Sequence, residues 1–123
     1  MSASIKKFFK GFLYAAKGVT YAFSTQINFK VHVFSGVLAI LMGYFLEINS
    51  AEWLWVSAAI LLVIVAELFN TALEVLVDLV SPEYHPKAGI VKDLASAAVL
   101  LTALLSAIIG LCIFVPKLLV YAS

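Results

Sequence analysis

The sequence predicts an all-α integral membrane protein with three transmembrane helices and an N-terminal amphipathic helix lying in the membrane interface. Three observations carry this reading. The 123 residues are 64% hydrophobic and 12% charged, with mean hydropathy +1.10, whereas a soluble domain is about 45–50% apolar and about 25% charged. A globule of this size cannot hide so much apolar surface from water. Three stretches are also long and apolar enough to approach the roughly 20 residues that a membrane-crossing helix needs. These features exclude a soluble enzyme, a disordered chain and a nucleic-acid-binding domain. The net charge of +1 offers no field for a polyanion. A lone Cys112 excludes a disulfide framework and a multi-cysteine zinc site, and every cationic side chain is a lysine. The whole of 1–123 reads as one membrane-embedded unit.

The first element, about 4–25, places Lys6, Lys10 and Lys17 on one helical face with Lys7 at its edge, and Phe8, Phe9, Phe12, Ala16 and Val19 on the other. At about 100° per residue the two faces lie back to back, the pattern of a helix in the interface plane. No small-residue cleavage site follows the first apolar run, which argues against a secretory signal. The first span is about 31–48 and uncharged up to Leu46. The second, about 53–80, is apolar but contains Glu67, Asn70, Glu74 and Asp78. The third, about 94–115, is uncharged and is expected to stop at Pro116, which cannot continue a helical hydrogen-bond ladder. Short connections imply antiparallel neighbours. Within the third span, Ala98, Thr102, Ser106 and Gly110 recur every four residues, a ladder of small side chains that suits close helix packing.

Lysines near the spans set orientation. Five precede the first span, two lie between the second and third, and none lies between the first and second, where Glu47 and Glu52 stand. The N-terminus and the second loop are therefore expected on the cytoplasmic side, with Lys117 as one vote against. Trp53 and Trp55 suit an aromatic belt on the other side.

An ionisable group near the centre of a span costs at least about 2.5–3.5 kcal/mol. From Glu67 through Asn70 and Glu74 to Asp78 the spacings are three, four and four, which puts all four on one stripe beside Thr71. Asp78, nearest the interface, is explicable by solvation, but Glu67 lies two to three turns deeper. Acids on one stripe suit a hard cation, since Mg²⁺ prefers carboxylate oxygens. Lys92, at the start of the third span and followed by Asp93, is a candidate phosphate ligand. His32 reads as a structural hydrogen-bonder and Cys112 as packing. There is no P-loop and no kinase glycine-rich loop.

The run Ala66-Glu67-Leu68-Phe69-Asn70-Thr71-Ala72-Leu73-Glu74, then Val77-Asp78, Glu83-Tyr84-His85 and Lys92-Asp93-Leu94-Ala95-Ser96-Ala97-Ala98-Val99 resembles the small prokaryotic diacylglycerol kinase family. The likeness extends from about Lys6 to about Leu119. Asn28-Phe29-Lys30-Val31-His32 is more similar to the branch that phosphorylates undecaprenol. The resemblance implies a homotrimer with active sites between protomers, transferring the γ-phosphoryl of ATP to a lipid alcohol with Mg²⁺. It implies Glu67 as general base, Asn70 as helping to orient the reacting groups and Glu74 as metal ligand. It also implies Lys92 on the phosphates, with Asp93, Asp78 and the Lys7–Tyr14 stretch at the nucleotide. One position departs from the pattern: Gln26 stands where the family carries a second metal-binding glutamate. A diacylglycerol kinase is the runner-up. From other classes, a small oligomeric transporter coupled through Glu67 and a catalytically weakened scaffold protein are the rivals.

Overall fold

The computed structural model describes residues 2–123. Four helices follow one another, with no strand among the described residues: α1 (Ala3–Thr25), α2 (Ile27–Phe45), α3 (Ser50–Val80) and α4 (Pro86–Ala122). The last three are each long and apolar enough to cross a membrane. At about 1.5 Å per residue, α3 and α4 are longer than a hydrocarbon core of about 30 Å, so their ends reach beyond it.

α1 starts on a Ser2 cap, whose hydroxyl accepts a hydrogen bond from the Ile5 amide at 3.3 Å. On its apolar face Phe8, Phe9 and Phe12 stack on one another, with ring centroids 5.4–6.5 Å apart. All three rings are exposed, as an apolar face meeting lipid requires. The opposite end of α1 is anchored. Ala22 is buried, and the stretch around Gly18 and Ala22 borders a groove shared with Leu68, Thr71 and Val75 of α3. A single extended residue, Gln26, separates α1 from α2 (φ −114°, ψ 113°). α2 therefore begins at Ile27, earlier than the predicted span, and Lys30 does not delay it. That side chain folds back until its ammonium lies 5.7 Å from the Phe23 ring centre.

The α2–α3 connection is tightly specified. Glu47 adopts φ 52°, the left-handed conformation that ends many helices. Its amide bonds the Tyr44 carbonyl at 3.3 Å, and the Ile48 amide bonds the Gly43 carbonyl at 3.2 Å. Those are the two bonds of a Schellman stop, so α2 ends at Phe45, before the predicted boundary. Asn49 then opens α3 with a capping box. Its side chain accepts from the Glu52 amide at 2.9 Å, and the Glu52 carboxylate accepts from the Asn49 amide at 3.0 Å. Gly43 is required here by space: a Cβ would stand 2.7 Å from the Trp53 ring.

α3 and α4 form the most extensive helix pair. The Ser106 hydroxyl crosses between them to the Ala59 carbonyl at 2.8 Å, and Ile48, Val56, Ile113 and Phe114 make the apolar cluster at the α2–α3 turn end. Of the predicted ladder, Thr102, Ser106 and Gly110 are half-buried while Ala98 is exposed, so only its later steps face the bundle.

Pro116 does not end the last helix, contrary to expectation: α4 runs through it to Ala122. The ring forfeits one ladder bond, but the turns beyond it are held from outside. Lys117 reaches Glu52 at 3.1 Å, and the Tyr121 ring lies 5.1 Å from that of Phe45. Neighbouring helices commonly compensate a proline in this way. α4 also starts earlier than predicted. His85 caps it, Nδ1 accepting from the Lys87 amide at 3.1 Å, with Pro86 in the first turn.

Candidate active site

Glu67, Asn70, Glu74 and Asp78 share one face of α3, as their spacing requires, and burial falls along the stripe. Glu67 is 1% exposed, Asn70 and the adjacent Thr71 are buried, Glu74 is half-buried and Asp78 is exposed. Asn70 is the hinge of the group. Its Nδ2 donates to Glu67 Oε1 at 3.4 Å and to Glu74 Oε1 at 3.3 Å. Both bonds are long, and one amide nitrogen joins two carboxylates that would otherwise repel. Thr71 spends its hydroxyl on the Glu67 backbone carbonyl at 2.9 Å, which leaves it no bond to the carboxylate from its proton.

Two oxygens in this cluster are buried without a hydrogen-bond partner: Glu67 Oε2 and Asn70 Oδ1. Leaving a buried polar atom unpaired costs about 1–3 kcal/mol, more if it is charged. Such atoms need a structural reason, and a ligand-binding site is one. Across the α2–α3 interface, Nε2 of His32 stands 3.9 Å from Oε2. His32, expected as a structural hydrogen-bonder, makes no side-chain hydrogen bond among the described residues. Its approach to Glu67 was not legible in any spacing, because the two residues lie on different helices.

At the exposed end of the stripe, Lys92 of α4 meets Asp78 of α3 at 2.7 Å. The α3–α4 turn thus brings the predicted phosphate ligand into the same chain's acidic stripe, while Asp93 beside it is exposed. Gln26 is half-buried at the α1–α2 break, with its Nε2 3.5 Å from the Thr25 hydroxyl. Lys7 and Tyr14 are not brought to the stripe. Both are exposed on α1, and Tyr14 instead lies under the Lys17 ammonium, 5.9 Å from its ring centre.

The order of these residues along the chain is what a comparison with known proteins reads. Residues 13–114 match the family model described as prokaryotic diacylglycerol kinase. The chain belongs to the prokaryotic diacylglycerol kinase family. The matched segment contains Tyr14, Gln26 and every residue of the stripe, and leaves Lys7 outside. Undecaprenol kinase of Bacillus subtilis (strain 168) is 38% identical over 114 residues, 93% of each chain. A diacylglycerol kinase of Synechocystis is 45% identical over 109 residues, 88% of this chain and 62% of that protein. The diacylglycerol kinase of Escherichia coli (strain K12) is 32% identical over 100 residues, 81% of each. These named members of the diacylglycerol kinase family are lipid kinases, phosphotransferases that act on an alcohol group.

Proposed function

We propose that this chain transfers the γ-phosphoryl group of ATP to the hydroxyl of a membrane lipid alcohol, undecaprenol in preference to diacylglycerol. The observation that carries the reading is the Glu67 carboxylate. It is almost wholly buried in a membrane-spanning helix, has one oxygen unpaired, and shares its helix face with the Asp78–Lys92 pair. A carboxylate with that free oxygen suits the removal of a proton from a lipid hydroxyl, and the lysine suits the phosphates. The preference for undecaprenol is supported by the Bacillus subtilis relative, matched over 93% of both chains, and by the Asn28–His32 segment.

Each residue has a separable task. Glu67 accepts the hydroxyl proton at Oε2 while Asn70 holds Oε1. Lys92 neutralises phosphate charge once the nucleotide draws it from Asp78, which until then keeps the ammonium at the mouth of the stripe. Asp93 and the α1 residues Tyr14 and Lys7 contact the nucleotide.

Among the described residues no three His, Cys, Asp or Glu side chains cluster as a metal cage. Mg²⁺ does not need one, being commonly held by one or two carboxylates together with substrate phosphates. On that pattern, Glu74 and the Gln26 carbonyl would hold the ion. When bound, Mg²⁺ would supply neutralisation of the phosphate charge.

We place the N-terminus and the α3–α4 loop on the cytoplasmic side of a bacterial inner membrane, with α1 in the interface, from the lysine distribution. The working unit is a homotrimer in which α1 of one protomer completes the site of the next, which would account for Tyr14 and Lys7 lying away from their own stripe. Because Lys92 pairs with Asp78 of the stripe that carries Glu67 in the same chain, a Glu67→Gln and Lys92→Met mixture is a poor complementation pair. Glu67→Gln mixed with Tyr14→Ala is the informative one and is expected to recover activity that neither has alone.

The decisive experiment is the purified protein with Mg-ATP and a panel of lipid alcohols, read by transfer of labelled phosphate. Phosphorylated undecaprenol in excess of phosphatidic acid is expected. Phosphatidic acid as the main product would make this a diacylglycerol kinase, and no phosphorylated lipid would return it to the transporter or scaffold class.

A further inference from the structure

We infer that His32 is a positioning residue for Glu67, setting the direction of its free oxygen and receiving the proton that it removes from the lipid hydroxyl. The inference rests on the lipid kinase reading above and concerns a residue which that reading leaves unused.

Glu67 is 1% exposed, and its two oxygens are treated differently. Oε1 is held by Asn70, and Oε2 is held by nothing. A base in such a place has two difficulties: the unpaired oxygen is free to turn, and a proton taken from a lipid has no water to leave through. Both are answered by the atom that faces Oε2. His32 Nε2 is 3.9 Å away, about 1 Å beyond a normal hydrogen bond. Catalytic hydrogen bonds are often long before the substrate arrives and tighten in the working complex. A proton on Oε2 turns the contact into an O–H···N hydrogen bond.

His32 is the one titratable group so placed among the described residues. α3 offers it Glu67, with Glu74 further along through Asn70. α4 lines the cavity of about 270 Å³ beside it with Ala103, Ser106, Ala107 and Gly110, none of which titrates. On α2 itself, Lys30 is turned toward Phe23. Thr25, at the end of α1, and Gln26, at the α1–α2 break, are uncharged. The His32 side chain is 20% exposed against 1% for Glu67, so the imidazole lies nearer the protein surface. Imidazole is also the side chain that takes and gives protons near neutral pH.

The step balances as follows. The lipid O–H breaks, and the oxygen forms a bond to the γ-phosphorus of ATP. The bond from that phosphorus to the bridging oxygen breaks, and its electron pair leaves with ADP. The proton passes to Glu67 Oε2 and then to His32 Nε2, which restores the carboxylate for the next turnover and releases the proton to solvent.

The test uses the full chain and His32→Gln, which keeps a hydrogen-bonding group near the position of Nε2 and cannot carry the proton away. Three readouts are taken: kcat and KM for lipid and ATP, the pH dependence of kcat, and the infrared carboxyl bands of Glu67, assigned by their loss in Glu67→Gln. The expected result is a fall in kcat of about 10²-fold with both KM values unchanged. The acid side of the pH profile should change shape, and the Glu67 bands should shift. A kcat equal to the parent overturns the inference, as does a loss confined to the lipid KM, which would make His32 a lipid contact. If the parent phosphorylates no lipid alcohol, the lipid kinase reading fails, and the bands decide the His32 contact: unshifted bands overturn it. His32→Asn, smaller than the imidazole, serves in the same assays if His32→Gln does not fold.

Discussion

The two ends of α3 carry the same kinds of polar group and use them in opposite ways. At the Asn49 end, the side chain and amide of Asn49 are both bonded to Glu52, whose carboxylate also holds Lys117 across the helix pair. At the Glu67–Asp78 end, one amide nitrogen is stretched between two carboxylates, and two buried oxygens have no partner at all. The contrast teaches what each end is for. A polar group that finds its partners within the chain holds the fold together. A buried one that does not is stable only with something else to bind, and here it costs the fold free energy that the satisfied end does not.

The sharpest way to break the comparison is to make one substitution at both ends. Glu67→Gln should lower phosphoryl transfer by about 10²–10⁴-fold and leave the thermal midpoint in detergent close to the parent. Glu52→Gln should do the reverse, lowering the midpoint with turnover intact. Initial rates and circular-dichroism melts on both proteins measure it, and equal losses of rate would erase the distinction.

A second change sharpens the functional end. Gln26→Glu places a carboxylate where a carbonyl now stands, and opposite charges within about 4–6 Å attract strongly. On the proposed metal-site reading, turnover should rise and half-maximal rate should need less Mg²⁺. Rate against Mg²⁺ concentration at fixed ATP and lipid reads it. Identical curves would put residue 26 outside the metal site.

The remaining two effects are small and belong to the structural end. Asn49→Ala removes the side-chain half of the capping box and should cost about 1 kcal/mol of stability without altering kcat, measured by denaturant titration in mixed micelles. Glu47→Gly relieves a left-handed residue that costs roughly 1–2 kcal/mol, against roughly 0.5–1 kcal/mol of added chain entropy. A slight gain in stability is expected in the same titration, and a loss would mean that the Glu47 side chain has a role of its own.

Much of this molecule is legible in its sequence because a membrane constrains a chain locally. Hydrocarbon admits helices, and a span must be apolar along its own length, so the three spans and the face of α1 follow from composition and period. The acidic stripe is legible for the same reason: a single helix carries it, and spacing alone fixes which side chains share a face. Helix ends were less legible, since they depend on neighbours. Pro116 reads as a stop, yet α4 continues because Glu52 and Phe45 hold Lys117 and Tyr121 beyond it. α2 begins at Ile27, ahead of the apolar run, and Lys30 within its first turn lies against the Phe23 ring.

The sequence by itself determined that the protein lives in a membrane, that it crosses three times, and that one helix carries Glu67, Asn70, Glu74 and Asp78 in a row. Only the tertiary structure decided which of those groups are satisfied and by what. Pairing between helices has no period in the chain. It depends on how α2, α3 and α4 are turned about their axes and how closely they approach, which Gly36 and Gly43 permit through the space they leave for Ile60 and Trp53. That rotation brings Lys92 to Asp78, Ser106 to Ala59, and His32 to within 3.9 Å of the one buried carboxylate oxygen that nothing else holds.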